Sequence, residues 1–99
     1  LRLSPETRQV IKQSVLEIFG PEATVRLFGS RTDDAARGGD VDLLVECGEP
    51  VHDPLKKSLA LNARLQLRLG EQQFDILVAD PLTQSRGVHE VARRTGIVL

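Results

Sequence analysis

Val25-Arg26-Leu27-Phe28-Gly29-Ser30-Arg31, followed after a short polar stretch by Arg37-Gly38-Gly39-Asp40-Val41-Asp42-Leu43-Leu44-Val45-Glu46, is the part of the chain whose reading decides the fold. Val25 to Phe28 is a run of strand formers that Gly29 ends, and Val41 to Glu46 is a second such run. Between them, residues 31–39 are small, flexible or charged and read as a loop or a single helical turn. Upstream, Ser4 offers an N-cap and Pro5 a first helical position to a segment in which Ile11, Val15, Ile18 and Phe19 recur at helical spacing until Gly20-Pro21 stops it. That spacing predicts a helix over 5–19. Downstream, Asp53-Pro54 repeats the same signal and Gly70 closes a leucine-rich segment, which predicts a second helix over 54–69. Phe74-Asp75-Ile76-Leu77-Val78-Ala79 reads as a third strand, and Asp80-Pro81 leads into a last helix with Val88, Val91, Ala92 and Thr95 on one face.

Helices alternate with strands throughout, so the expected class is α/β or α+β, with helices covering a sheet of three or four strands. Within the second helix, Leu55, Leu59, Ala63 and Leu67 lie along one side and Lys57, Arg64 and Arg68 share a charged stripe. Leu61, Leu65 and Leu69 extend the apolar surface well past one stripe. Burial beneath the sheet is the expected use of that surface, with a partner surface as the alternative.

Ninety-nine residues suit a single domain. A composition of 40% hydrophobic and 27% charged residues is that of a soluble globular protein rather than a disordered chain. Thirteen Lys and Arg against fourteen Asp and Glu leave a net charge of −1, so no overall field draws the chain onto nucleic acid or an anionic membrane. Lone Cys47 can build neither an internal disulfide nor a multi-cysteine zinc site, which fits a reducing compartment; cytoplasm is the expectation. No apolar run approaches the ~20 residues that span a bilayer, and the N-terminus lacks the layout of a signal peptide. The chain has no methionine even at position 1 and stops on Ile97-Val98-Leu99, which is compatible with residues lost at both ends.

Charge is nevertheless concentrated locally. From Arg31 to Asp53 there are seven carboxylates (Asp33, Asp34, Asp40, Asp42, Glu46, Glu49, Asp53) against two arginines, a surplus that invites cations. Side chains alternate across a strand, so Asp40 and Asp42 share a face about 7 Å apart. Two carboxylates so placed suit Mg²⁺, a hard ion that prefers carboxylate oxygens. If the first strand is antiparallel to the second, and a helical crossover makes the second parallel to the third, then Gly29-Ser30, Asp40, Asp42 and Asp75 meet at one edge. Asp75 shares its face with Leu77 and Ala79 in a strand that otherwise reads as buried, where a charge needs a partner. Gly29-Ser30 adds an anion site, because glycine lets backbone amides approach a phosphate and the serine hydroxyl donates to one, and Arg31 is placed to meet further negative charge. Phosphate plus metal points to a nucleotide.

The combination of apolar strand, Gly-Ser, a nine-residue spacer, Asp-Val-Asp and a third Asp in a later apolar strand resembles the DNA polymerase β-like nucleotidyltransferase superfamily. Within it, Leu27-Phe28-Gly29-Ser30-Arg31 and Arg37-Gly38-Gly39-Asp40-Val41-Asp42-Leu43-Leu44-Val45 read like the signature of the small MNT-type minimal nucleotidyltransferases, and the resemblance runs from about residue 5 to the end. It implies an α+β, polymerase β-like palm fold in a single minimal domain over 1–99. It further implies that Ser30 and the Gly29 backbone hold the triphosphate of ATP, that Asp40 and Asp42 coordinate two Mg²⁺ ions, and that Asp75 completes one metal site and helps deprotonate the attacking hydroxyl. Relatives of this type accompany a HEPN-family toxin as its antitoxin, and some transfer AMP to a tyrosine of that toxin, so a tyrosine hydroxyl is the expected acceptor. The preference for adenine comes from the resemblance alone.

Two other readings stay open: an antitoxin that neutralises its partner by binding alone, and a transferase acting on a small-molecule or nucleic-acid hydroxyl with an auxiliary subunit. No membrane is expected as a partner, nucleic acid is not expected as a direct one, and a homo-oligomer is possible. Solvent-facing or helix-end roles are expected for His52, His89, Lys56, Lys57, Arg93 and Arg94, and a small buried one for Cys47.

Overall fold

In a computed structural model, residues 4–28, 40–70, 73–82, 94 and 96–99 are described, with the backbone alone at positions 40 and 73. Helix α1 spans Pro5–Phe19. Ser4 is extended, with φ −68° and ψ 157°, and its Oγ accepts the Thr7 N–H at 3.1 Å, so a donor orphaned at the helix start is satisfied. Gly20 closes the helix at φ 101°, a backbone conformation that costs a side chain but not a glycine, and donates its N–H to the Leu16 carbonyl at 3.0 Å. Helix α2 spans Pro54–Leu69, capped by the Asp53 carboxylate on the Lys56 N–H at 3.3 Å and ended by Gly70 at φ 89°. Both helices match the bounds that their caps predict.

The strands are β1 (Thr24–Phe28), β2 (Asp40–Glu46), β3 (Gln73–Ala79) and β4 (Ile97–Val98). They form one mixed sheet in the order β3-β2-β1-β4, which with the two helices makes a small α+β arrangement. β1 is antiparallel to β2 and to β4, whereas β2 is parallel to β3. A parallel pair needs a crossover, and α2 supplies it, returning the chain from the end of β2 to the start of β3. Each of the first three strands begins one residue earlier than its apolar run. β4 lies beyond what the sequence predicts: the final apolar run pairs with β1, and Leu99 donates to the Val25 carbonyl at 3.0 Å while its side chain joins the core.

Strand alternation sorts the side chains onto two faces. Val25, Leu27, Val41, Leu43, Val45 and Phe74 pack with Ile11 and Val15 of α1 and Leu61 and Leu65 of α2. On the other face Phe28, Leu44 and Ala79 form a second buried cluster, with Leu77 against it. The helices therefore cover one face, and alternation puts Asp42 and Asp75 on the other.

Helix α2 presents its core with a narrower stripe than expected. Leu61 and Leu65 are buried, but Leu55, Leu59 and Leu67 are 69%, 60% and 87% exposed, which corrects the expectation that this apolar surface is buried. This setting goes with contacts on the flank facing α1. Arg64 and Arg68 both reach the Glu17 carboxylate, at 3.1 and 2.9 Å, and Arg68 also donates to Ser14 Oγ at 3.0 Å. With that charged flank held against α1, Leu61 and Leu65 turn onto the sheet and the Leu55, Leu59 and Leu67 row turns outward.

The expected loop over 31–39 and the expected last helix, with Val88, His89, Val91, Ala92, Arg93 and Thr95, lie outside the described residues; Arg94 is exposed. Asp80, read as the start of that helix, accepts the Leu82 N–H at 2.9 Å and the Val51 N–H at 2.7 Å, fastening the end of β3 to the segment before α2. Among the described residues no helix is long and apolar enough to cross a membrane.

Candidate functional site

Three register relations position the candidate residues that are described. β1 and β2 pair so that Phe28 stands opposite Asp42, and the chain leaves β1 directly into Gly29. β2 and β3 pair so that Asp42 stands opposite Asp75. Asp40 pairs with Gln73 at the start of the same ladder. Partners in neighbouring strands lie about 5 Å apart and project to one face, so Asp42 and Asp75 are side-by-side carboxylates, with Asp40 about 7 Å along the strand. Gly29, Ser30 and Arg31, and the side chain of Asp40, lie outside the described residues.

The surroundings of the two carboxylates differ. Asp42 is half-buried on β2, opposite buried Phe28 of β1 and two residues from buried Leu44, where lowered polarity strengthens its attraction for a cation. Asp75 is exposed, on a strand at the edge of the sheet. This corrects the sequence-based premise that β3 is buried on both faces and that Asp75 needs a partner to offset desolvation: an exposed carboxylate is solvated and tolerates standing alone. The acidic surplus shrinks as well. Glu46 accepts from Arg26 Nε at 2.6 Å across the β1–β2 ladder, and Asp53 is occupied as the cap of α2.

Among the described residues no group of three or more His, Cys, Asp or Glu is arranged to hold a metal ion. Asp42 and Asp75 contribute two hard oxygen donors in register, a set that fits Mg²⁺ in chemistry and needs Asp40, other ligands or water to complete it.

A larger cavity, about 710 Å³, lies at the opposite end of β2, lined in part by Phe19, Cys47, Val51, His52 and Lys57. From Asp42 to Cys47 the strand runs about 16 Å, so the cavity is separate from the paired carboxylates. Cys47 is half-buried rather than buried as expected, and burial, followed by the Asp80 charge, pushes its thiol above the ordinary value, which leaves it a poor nucleophile. Sequence reading passed over this cavity because its two turns, the second leading into a helix start, are far apart in the chain and meet only in the fold. The chain matches no protein-family model and no curated protein.

Proposed function

We propose that the chain is a Mg²⁺-dependent nucleotidyltransferase of polymerase β-like palm fold, a protein adenylyltransferase that moves AMP from ATP to a hydroxyl of a partner protein. In full, the reading is of an MNT-type antitoxin acting in the cytoplasm on a tyrosine of a HEPN-family toxin. The observation that carries it is the pairing of Asp42 with Asp75, together with the position of Phe28 opposite Asp42, from which the chain enters Gly29-Ser30. The end of β1, from which the sequence continues into Gly29-Ser30, and the carboxylate pair thereby share one end of the β1–β2–β3 ladder, although far apart in sequence.

In this reading Asp40, Asp42 and Asp75 would hold Mg²⁺, which supplies charge neutralisation on the phosphates and acidification of the attacking hydroxyl. The hydroxyl oxygen attacks the α-phosphorus, the bond from that phosphorus to the bridging oxygen of the β-phosphate breaks, and pyrophosphate leaves. Asp75, exposed beside Asp42, would accept the proton the hydroxyl gives up. Ser30 and the Gly29 backbone N–H would orient the triphosphate, and Arg31 would meet its remaining charge.

The test is to incubate the chain with Mg²⁺, ATP and the product of the neighbouring gene, and to weigh that partner by mass spectrometry. One or more added adenylyl groups are expected, with the rate falling at least ~100-fold in Asp42→Asn and in Asp75→Asn. Neutralisation of the partner without a mass increment, unchanged in both variants, would replace transfer by binding alone.

A further inference from the structure

β3 lies at one edge of the sheet, and among the described residues no strand pairs with its outer side. The Ala79 carbonyl accepts the Cys47 N–H at 2.8 Å, so the odd-numbered residues of β3 turn their backbone groups toward β2. By alternation Phe74, Ile76 and Val78 turn theirs outward. An apolar strand whose outward donors and acceptors meet no other strand among the described residues is a template for one. Beside it runs a groove of about 300 Å³, lined by Ser58, Leu59 and Asn62 of α2 and by Phe74 to Leu77 of β3. Its lining includes Phe74 and Ile76 from the helix side of β3 and Asp75 and Leu77 from the other, so it opens at the strand's edge. Leu59 stands over it, 60% exposed.

We infer that this edge is where a second copy of the chain docks, β3 against β3 in antiparallel about a two-fold axis, joining the two sheets into one. The sequence of β3 suits its own reverse. Centred on Ile76, the pairing sets Phe74 against Val78 of the second copy and Ile76 against itself, and every outward residue exchanges both backbone hydrogen bonds. Asp75 then stands diagonal to its mate, about 7–8 Å away. A register centred on Asp75 would put the two carboxylates directly opposite, which is disfavoured. On the helix side the two Ile76 side chains meet under the two Leu59 side chains, covering the groove.

The size of the contact sets its strength. β3 with seven residues and α2 with sixteen are each about 24 Å long, and sheet plus helix layer is about 20 Å high, so the wall covers about 500 Å² per copy. About 1,000 Å² in total is the lower limit for a specific interface, which makes the dimer weak and reversible. A net charge of −1 adds little repulsion between copies.

Sedimentation velocity across a wide concentration range tests this, paired with amide hydrogen exchange at its two ends. A reversible monomer–dimer equilibrium is expected, with Phe74, Ile76 and Val78 gaining protection as concentration rises. Leu59→Lys, at an exposed position that leaves the fold intact, weakens association at least ~10-fold, and Val78→Pro, which deletes an outward N–H, abolishes it. Leu67→Lys, on the outer part of α2 away from the groove, leaves it unchanged. A chain that stays monomeric throughout, a dimer indifferent to Leu59→Lys, or association without protection along β3 would overturn the inference.

Discussion

Glu17 is the residue through which the two helices are joined electrostatically. The Arg68 guanidinium that bonds it, opposed by partial desolvation and aided by Gln13 and Arg64, holds its carboxyl below the ordinary value. A carboxylate with a depressed folded-state pKa adds stability that is present above its unfolded pKa and lost as pH falls through the folded one. The gap in thermal midpoint between the native chain and Glu17→Gln should therefore be open at neutral pH and close as the solution is acidified through the carboxylate range. A gap independent of pH would mean that Glu17 acts by packing rather than charge. Cys47 gives the converse case, a thiol raised by burial: alkylation by iodoacetamide at neutral pH should be slower than for a free cysteine and quicken as pH rises. A rate matching that of a free thiol would mean that burial does not protect it.

Among the elements, α2 carries the sharpest expectation, because its two leucine rows make opposite demands. Leu61→Ala removes a buried side chain at a helix–sheet contact and should cost about 2–5 kcal/mol, whereas Leu67→Ala at an exposed position should stay within about 0.5 kcal/mol, both read by denaturant unfolding. Equal costs would mean that α2 is rotated from its described setting. The bounds of α1 and α2 were legible because serine, aspartate, proline and glycine at their ends act locally, through single hydrogen bonds and backbone dihedrals. Which face of α2 is buried was not legible, since both rows are apolar and the setting goes with contacts remote in the chain, among them Arg64 and Arg68 on Glu17, 47 and 51 residues away. β4 escaped notice for a different reason: two residues are too few to carry an alternation, and its strand character exists only through β1.

At the scale of the whole molecule, the parallel β2–β3 pair follows from the intervening helix, whereas the antiparallel β1–β2 pair entered the sequence reading only as a premise. That Asp42 and Asp75 share a face could be anticipated from the pleat and the expected topology. Their being direct partners depends on how Val41, Leu43 and Val45 align with Phe74 and Ile76 under α2, which no single segment encodes. The exposure of Asp75 was hidden because an apolar strand reads alike at the edge and at the centre of a sheet. The central claim, that carboxylates from two neighbouring strands act together on a divalent cation, is tested most directly by titrating Mn²⁺ into the isotope-labelled chain and following the amide signals. The account predicts that the signals of Asp42 and Asp75 broaden first and together at low metal, and that Asp75→Asn removes the effect at both positions. Broadening that begins elsewhere, or that reaches Asp42 undiminished in the Asp75→Asn chain, would contradict it.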